Sequence, residues 1–195
     1  MNKLKSKFAL IAVMLISALA PAAHAIPLLS FAPSSTTATV GDRLFIDVIA
    51  SDVLDLYAFQ FDVAFDPVVL GAQGITEGGL LSAVDATFFV PGSIDNTAGR
   101  LVLTANTLLG PISGANGSGV LATLSFQVLA AGISNLVLDN VLALDSALND
   151  IAVDTVAARI SAMPAAGVPE PATFALLLLG ALLLPACRAM RRDAA

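Results

Sequence analysis

From Arg43 to Ser51 the chain alternates. Leu44, Ile46, Val48 and Ala50 fall on one side, and Phe45, Asp47, Ile49 and Ser51 on the other. The stretch 56–66 alternates more strictly: Tyr57, Phe59, Phe61, Val63 and Phe65 share one face, and Ala58, Gln60, Asp62 and Ala64 share the opposite one. A helix would scatter those aromatics around its circumference, so a period of two over this length predicts strands with one buried and one wet face. Pro67 has no N–H to give a ladder and ends the second strand. Further strands are expected over 86–90, 100–108, 119–130, 135–145 and 154–162. Turn signals separate them at Gly71 to Gly79, Pro91-Gly92, Gly110-Pro111, Gly114 to Gly119 and Ala131-Gly132. Single helical turns fit at Val84 to Ala86 and Asp145 to Ile151. A strand series with short breaks and no long amphipathic helix predicts an all-β sandwich.

Both ends break this pattern with longer apolar runs. At the start, Lys3, Lys5 and Lys7 precede an apolar run from Phe8 to Leu19, and Ala23-His24-Ala25 follows. A basic, then apolar, then small-x-small order is that of a secretory signal peptide, which places cleavage after Ala25 and the exported N-terminus at Ile26. At the other end, Ala172 to Ala186 is apolar apart from Thr173, and Arg188, Arg191 and Arg192 follow. At about 1.5 Å per residue this run barely crosses a hydrocarbon core of about 30 Å. The arginines supply a stop-transfer charge that stays cytoplasmic. Pro169 and Pro171 hold the chain just before the run extended and outside the helix. The expected organisation is a signal peptide over 1–25, a sandwich over 26–162, a linker over 163–171 and a C-terminal transmembrane helix with a basic tail over 172–195.

The two ends account for the apolar excess of the whole chain, 57% hydrophobic residues at a mean hydropathy of +0.87. Between Ile26 and Gly167 three arginines (Arg43, Arg100 and Arg159) stand against thirteen acids, a net charge of −10 compared with −6 for the full chain. Such a surface repels phosphate backbones and excludes nucleic-acid binding; it suits cations, basic partners and solubility outside the cell.

The chemistry of the core is sparse. The single histidine, His24, leaves with the signal peptide, and the single cysteine, Cys187, lies in the terminal run. The exported core therefore has no disulfide, no His-based triad, no thiol nucleophile and no His or Cys metal site. No nucleotide-binding glycine loop occurs, and no organic cofactor is expected. Asp62 and Asp66 share one strand face and are the pair a glycosidase would need, but acids on a wet sheet face are ordinarily solvated. The chain is read as not an enzyme. Calcium is the one ion the composition suits: Asp139, Asn140, Asp145, Asn149 and Asp150 crowd one region, and Asp52 and Asp55 flank a loop, although none matches an EF-hand. Sugar sites favour flat aromatics. Here the only tyrosine is Tyr57, on the phenylalanine face of its strand, and tryptophan is absent.

Two resemblances sharpen this reading. "ATVGDRLFIDVIASDVLDLYAFQFDVAFDPVVL" resembles the first half of a cohesin domain, where a Val-Gly-Asp turn leads into a strand, a loop and a strand ending in Phe-Asp-Pro. "GVLATLSFQVLAAGISNLVLDNVLALDSALNDI" is similar to the second half. The likeness covers Ala38 to Ser161. It implies a jelly-roll β-sandwich of about nine strands that works by protein–protein contact, with a dockerin-like partner, through a face near Gln60 and Asp62. The closing segment is similar to the PEP-CTERM sorting signal: Val168, Pro169, Glu170 and Pro171, then an apolar helix, then the basic cluster. That resemblance implies processing by an exosortase in a Gram-negative bacterium. Export would follow the Sec route through an inner-membrane intermediate to the cell surface or medium. The two together describe a non-enzymatic exported scaffold or adhesion protein; the alternative is a carbohydrate-binding protein of an exopolysaccharide or biofilm matrix.

Overall fold

The structure, a computed structural model, describes residues 26–33 and 35–165. The cleavage residues Ala23 and Ala25, the motif Val168 to Pro171, the apolar run and Arg188, Arg191 and Arg192 lie outside them. Among the described residues no helix is long and apolar enough to cross a membrane.

Among the described residues, twelve strands and one helical turn follow in order: β1 (Leu28–Pro33), β2 (Thr37–Thr39), β3 (Arg43–Leu56), β4 (Ala58–Ala64), β5 (Leu70–Glu77), α1 (Gly79–Ser82), β6 (Thr87–Val90), β7 (Ser93–Asp95), β8 (Arg100–Leu108), β9 (Ala115–Val128), β10 (Gly132–Leu144), β11 (Asp154–Val156) and β12 (Ala158–Met163). Nine of the twelve strands exceed three residues. They form a five-stranded sheet, β11-β1-β3-β9-β5, and a seven-stranded sheet, β2-β12-β10-β4-β8-β6, with β7 also paired to β8. Pairing is antiparallel except for β1 with β11 and β2 with β12.

The period-two faces close on one core. Leu44, Ile46, Val48 and Ala50 are buried, as are Phe59, Phe61, Val63 and Phe65, in a cluster with Leu124, Phe126 and Leu136. Each of the larger side chains among them contributes about 1.5–3 kcal/mol by leaving water. Phe65, just past β4, meets Phe126 of β9 edge-on with ring centres 5.2 Å apart, which ties the two sheets together.

Several local expectations fail for identifiable reasons. The segment expected to turn at Gly71 to Gly79 is edge strand β5, paired to β9. Gly71 is set by packing: a Cβ there would lie 3.2 Å from the Leu129 side chain. Only the first residue of the expected Gly114 to Gly119 turn lies outside β9; a Cβ there would sit 2.4 Å from the Asp55 carbonyl, so Gly114 is required where the chain presses on β3. The helical turn lies at Gly79–Ser82, before the expected Val84 to Ala86, and inserts Leu81 into the core. Asp145 to Asn149 forms a turn, not a helix. The expected 154–162 strand breaks at Ala157, because β11 and β12 join different sheets. β1, β2 and β7 were not anticipated.

Candidate functional site

Strand β4 is central in the larger sheet, and its two neighbours are both irregular beside Asp62. On β8 the register slips between Phe61 and Val63, so Val102 and Leu103 together stand opposite Asp62. On β10 it slips between Asp139 and Leu142. These are β-bulges, extra residues that kink a strand and shift the parity of all that follows. Leu103 (φ 62°) and Asn140 (φ 50°) adopt left-handed backbone at the two bulges, a conformation unfavourable for a leucine.

Asp62 joins the two irregularities. One carboxylate oxygen accepts the Leu103 amide at 2.7 Å, and the other accepts the Asn140 side-chain amide at 2.6 Å. The Arg100 guanidinium lies 4.0 Å from Asp62 and bonds Asp139 at 3.1 Å. Asp62 is only 5% exposed. Strand alternation alone predicts a wet residue; the bulges fold over it, and it supports the face from beneath.

The bulges decide what the face displays. Leu136 and Leu138 point inward, so regular alternation would carry Leu142 inward too. After the bulge it is Ala143 that is buried, and Leu142 and Leu144 pair beside Gln60 and Ala58 on the outside. On β8 the same shift buries Thr104 and Asn106 and turns Ala105 and Thr107 outward. Edge strand β6 adds Phe88 opposite Thr107 and Val90 opposite Ala105. The result is an open, mainly apolar groove walled by Phe88, Val90, Leu142 and Leu144 and floored by Ala58, Gln60, Ala105 and Thr107. Phe88 is 61% exposed and Leu142 40%. Of these residues the sequence reading named Gln60 alone as a face residue; Phe88 and Leu142 were within expected strands, but their side of the sheet depends on register.

The other candidate residues are spread apart. Among the described residues no three acids, histidines or cysteines converge as a metal site. Asp139 pairs with Arg100, and Asn140 with Asp62. Asp145 accepts the amides of Ala147 and Asn149 in its own turn, which holds its carboxyl below the usual range, the Asn149 amide contributing most. Asp55, near the end of β3, ties that strand to its surroundings: it accepts the Ser146 hydroxyl at 2.6 Å and the Gly114 amide at 2.5 Å, and its own amide donates to Asn116 of β9. The Ser146 bond, then the Gly114 bond, lowers its pKa. Asp66 accepts the Val68 amide and does not pair with Asp62. Tyr57 packs against the core and donates its hydroxyl to the Gly110 carbonyl at 2.7 Å.

Comparison with known proteins agrees with this geometry. The family model for the cohesin domain matches residues 30–162. No curated protein sequence matches the chain. Among solved structures, a type II cohesin module from the adaptor ScaA scaffoldin of Acetivibrio cellulolyticus is similar at 17% identity and a TM-score of 0.61, over 75% of this chain and 96% of that one. A non-cellulosomal cohesin from the hyperthermophilic archaeon Archaeoglobus fulgidus is similar at 16% identity and a TM-score of 0.56, over 71% and 92%. A chain of a type II cohesin–X-dockerin complex from Acetivibrio cellulolyticus gives 15% identity and a TM-score of 0.58, over 70% and 99%. At these identities the structural likeness is one of fold.

Proposed function

The chain belongs to the cohesin domain family, and on that premise we propose that it is an exported scaffold or adhesion module that captures a dockerin-like protein on the outward face of its larger sheet. Cohesin domains are protein–protein binding modules that bind dockerins, not catalysts, and they typically work outside the cell or at its surface. The observation that carries the reading for this chain is the groove on that face. Phe88 and Leu142 stand exposed on either side of Gln60, above a sheet that Asp62 braces from within. An exposed aromatic and aliphatic pair around one polar group is the composition of an interface centre. The net charge of −10 over 26–167 favours a partner that is basic at its contact rim.

The ends complete the reading. Sec export with cleavage after Ala25 delivers the sandwich, and the segment from Val168 through Pro169, Glu170 and Pro171 to Arg192 is an exosortase sorting signal that holds it at the inner membrane until processing. Mass spectrometry of the mature protein tests this part: termini at Ile26 and near the Pro-Glu-Pro support it, and a C-terminus intact to Ala195 makes the segment a plain anchor. Affinity capture from the exported fraction tests the binding part. A protein retained by the native chain and lost on Leu142→Asp supports the face; equal retention by both refutes it.

A further inference from the structure

The groove wall that carries Phe88 is an edge strand of four residues. Among the described strands, β6 pairs only with β8. So short an edge has few ladder bonds and opens locally at low cost. Its side chains alternate. Phe88 and Val90 face the groove, and Phe89 packs against the core.

The bulge at Leu103 has turned Thr104 and Asn106 of β8 inward, where they are 0% and 3% exposed. Polar groups buried between apolar sheets need partners, and both find them at the ends of β6. The Thr104 hydroxyl donates to the carbonyl of Pro91, just past β6, at 3.2 Å. The Asn106 side-chain amide donates to Glu77 Oε1 at 2.8 Å, and the same oxygen accepts the hydroxyl of Thr87, the first residue of β6, at 2.5 Å.

Glu77 belongs to the other sheet. It ends β5 opposite the buried Ala122 of β9, so its side chain sets out toward the space between the sheets at their edge. Gly78 fixes it there: the Gly78 amide donates to the Leu121 carbonyl, and a Cβ on Gly78 would lie 2.2 Å from the Val120 carbonyl oxygen. The chain then crosses to β6 through α1, which Leu81 seats in the core. A carboxylate makes stronger hydrogen bonds than a neutral acceptor, and both donors to this one sit on strands of the groove.

We propose that Glu77 is a positioning residue for the docking groove: from the opposite sheet it holds the start of β6 against β8 and thereby sets where Phe88 stands. Glu77 does not itself line the groove. The inference rests on the reading of that groove as the docking surface. It makes the smaller sheet part of the site's machinery, because the position of one wall depends on the last residue of β5.

Hydrogen–deuterium exchange of the full chain tests the clasp without any partner. Glu77→Ala speeds exchange over residues 87–90 at least about tenfold and leaves the strands of the smaller sheet unchanged. Thr87→Val, which removes one donor, gives a smaller rise in the same segment. Glu77→Gln, whose carbonyl oxygen accepts both bonds, restores the native rate. Unchanged exchange in Glu77→Ala, a rise throughout the sandwich, or a Gln variant as fast as the Ala variant overturns the inference. The protein captured on the native chain then serves as the binding probe. Glu77→Ala and Phe88→Ala each weaken its binding, and the double variant binds no more weakly than Phe88→Ala alone, because Glu77 acts through Phe88. Additive losses overturn the positioning role. If the native chain captures nothing, the docking reading falls, and the exchange rates still decide whether Glu77 holds β6.

Discussion

The Asp62 carboxylate accepts the backbone amide of Leu103 at 2.7 Å. Leu103 is a left-handed leucine opposite a carboxylate on a central strand, and the same carboxylate holds Asn140 across the other neighbour. One side chain thus pins two bulges, and those bulges turn Leu142, Leu144, Ala105 and Thr107 outward. The link runs from one residue, through strand parity, to the composition of a surface.

Asp62→Ala leaves the Leu103 amide without its acceptor and Asn140 without its partner. The cost of an unsatisfied buried group is about 1–3 kcal/mol, read as a lower midpoint in chemical denaturation. Partner binding falls as well, because the strands beyond each bulge lose their register. Asp62→Asn keeps an acceptor for Leu103 and loses less of both. Equal effects of the two variants would show that charge, not the bonds to the bulges, is what Asp62 supplies.

Leu142→Asp and Phe88→Ala remove groove walls that bury little in the isolated fold. Melting temperatures stay close to that of the native chain. Affinity for the captured partner drops at least about tenfold for each, the size expected at the centre of an interface, measured by titration calorimetry. Val84→Ala, exposed just past α1 and outside the groove lining, serves as the control and leaves affinity unchanged.

Gly114→Ala drives a methyl to 2.4 Å from the Asp55 carbonyl. The clash destabilises by about 1–3 kcal/mol or more, since neither backbone can yield without breaking the Asp55 bonds. Gly79→Ala, where nothing lies within 4 Å and the backbone is helical, is neutral or slightly stabilising, by up to about 1 kcal/mol. Thermal denaturation of the two variants side by side distinguishes them.

The Ser146 hydroxyl and the Gly114 amide hold Asp55 below the usual carboxylate range, and the Asn149 amide does the same for Asp145. A lowered value in the folded state means that the fold favours the ionised form. Its contribution is full above the ordinary carboxylate range and fades as pH falls through the lowered value. Ser146→Ala therefore lowers stability near neutrality and changes it little at the acid end, which flattens the acid limb of the profile. Superimposable profiles of melting temperature against pH would refute the role of Ser146.

How much was legible in the sequence follows from what each residue faces. The alternation at Leu44 to Ala50 and Tyr57 to Phe65 was readable because one side of each strand is sealed in the core and the apolar pattern must repeat every second residue. β5 was not readable: at an edge, Gly71 is set by its neighbour Leu129, which no local pattern records. Asp62 was legible as a notable acid and misread as a wet one, since its partners Leu103 and Asn140 lie 41 and 78 residues away in sequence.

Local chemistry alone determined the class of this protein: all-β, acidic, without thiol or histidine chemistry in its core, flanked by a signal-like start and a sorting-like end. These are properties of period and composition, set residue by residue. Only the tertiary structure decided which side of β8 and β10 meets solvent, and that Asp62 lies covered between them. Register, bulges and strand order depend on pairings between distant segments, and a single slipped residue inverts a face without changing any local preference.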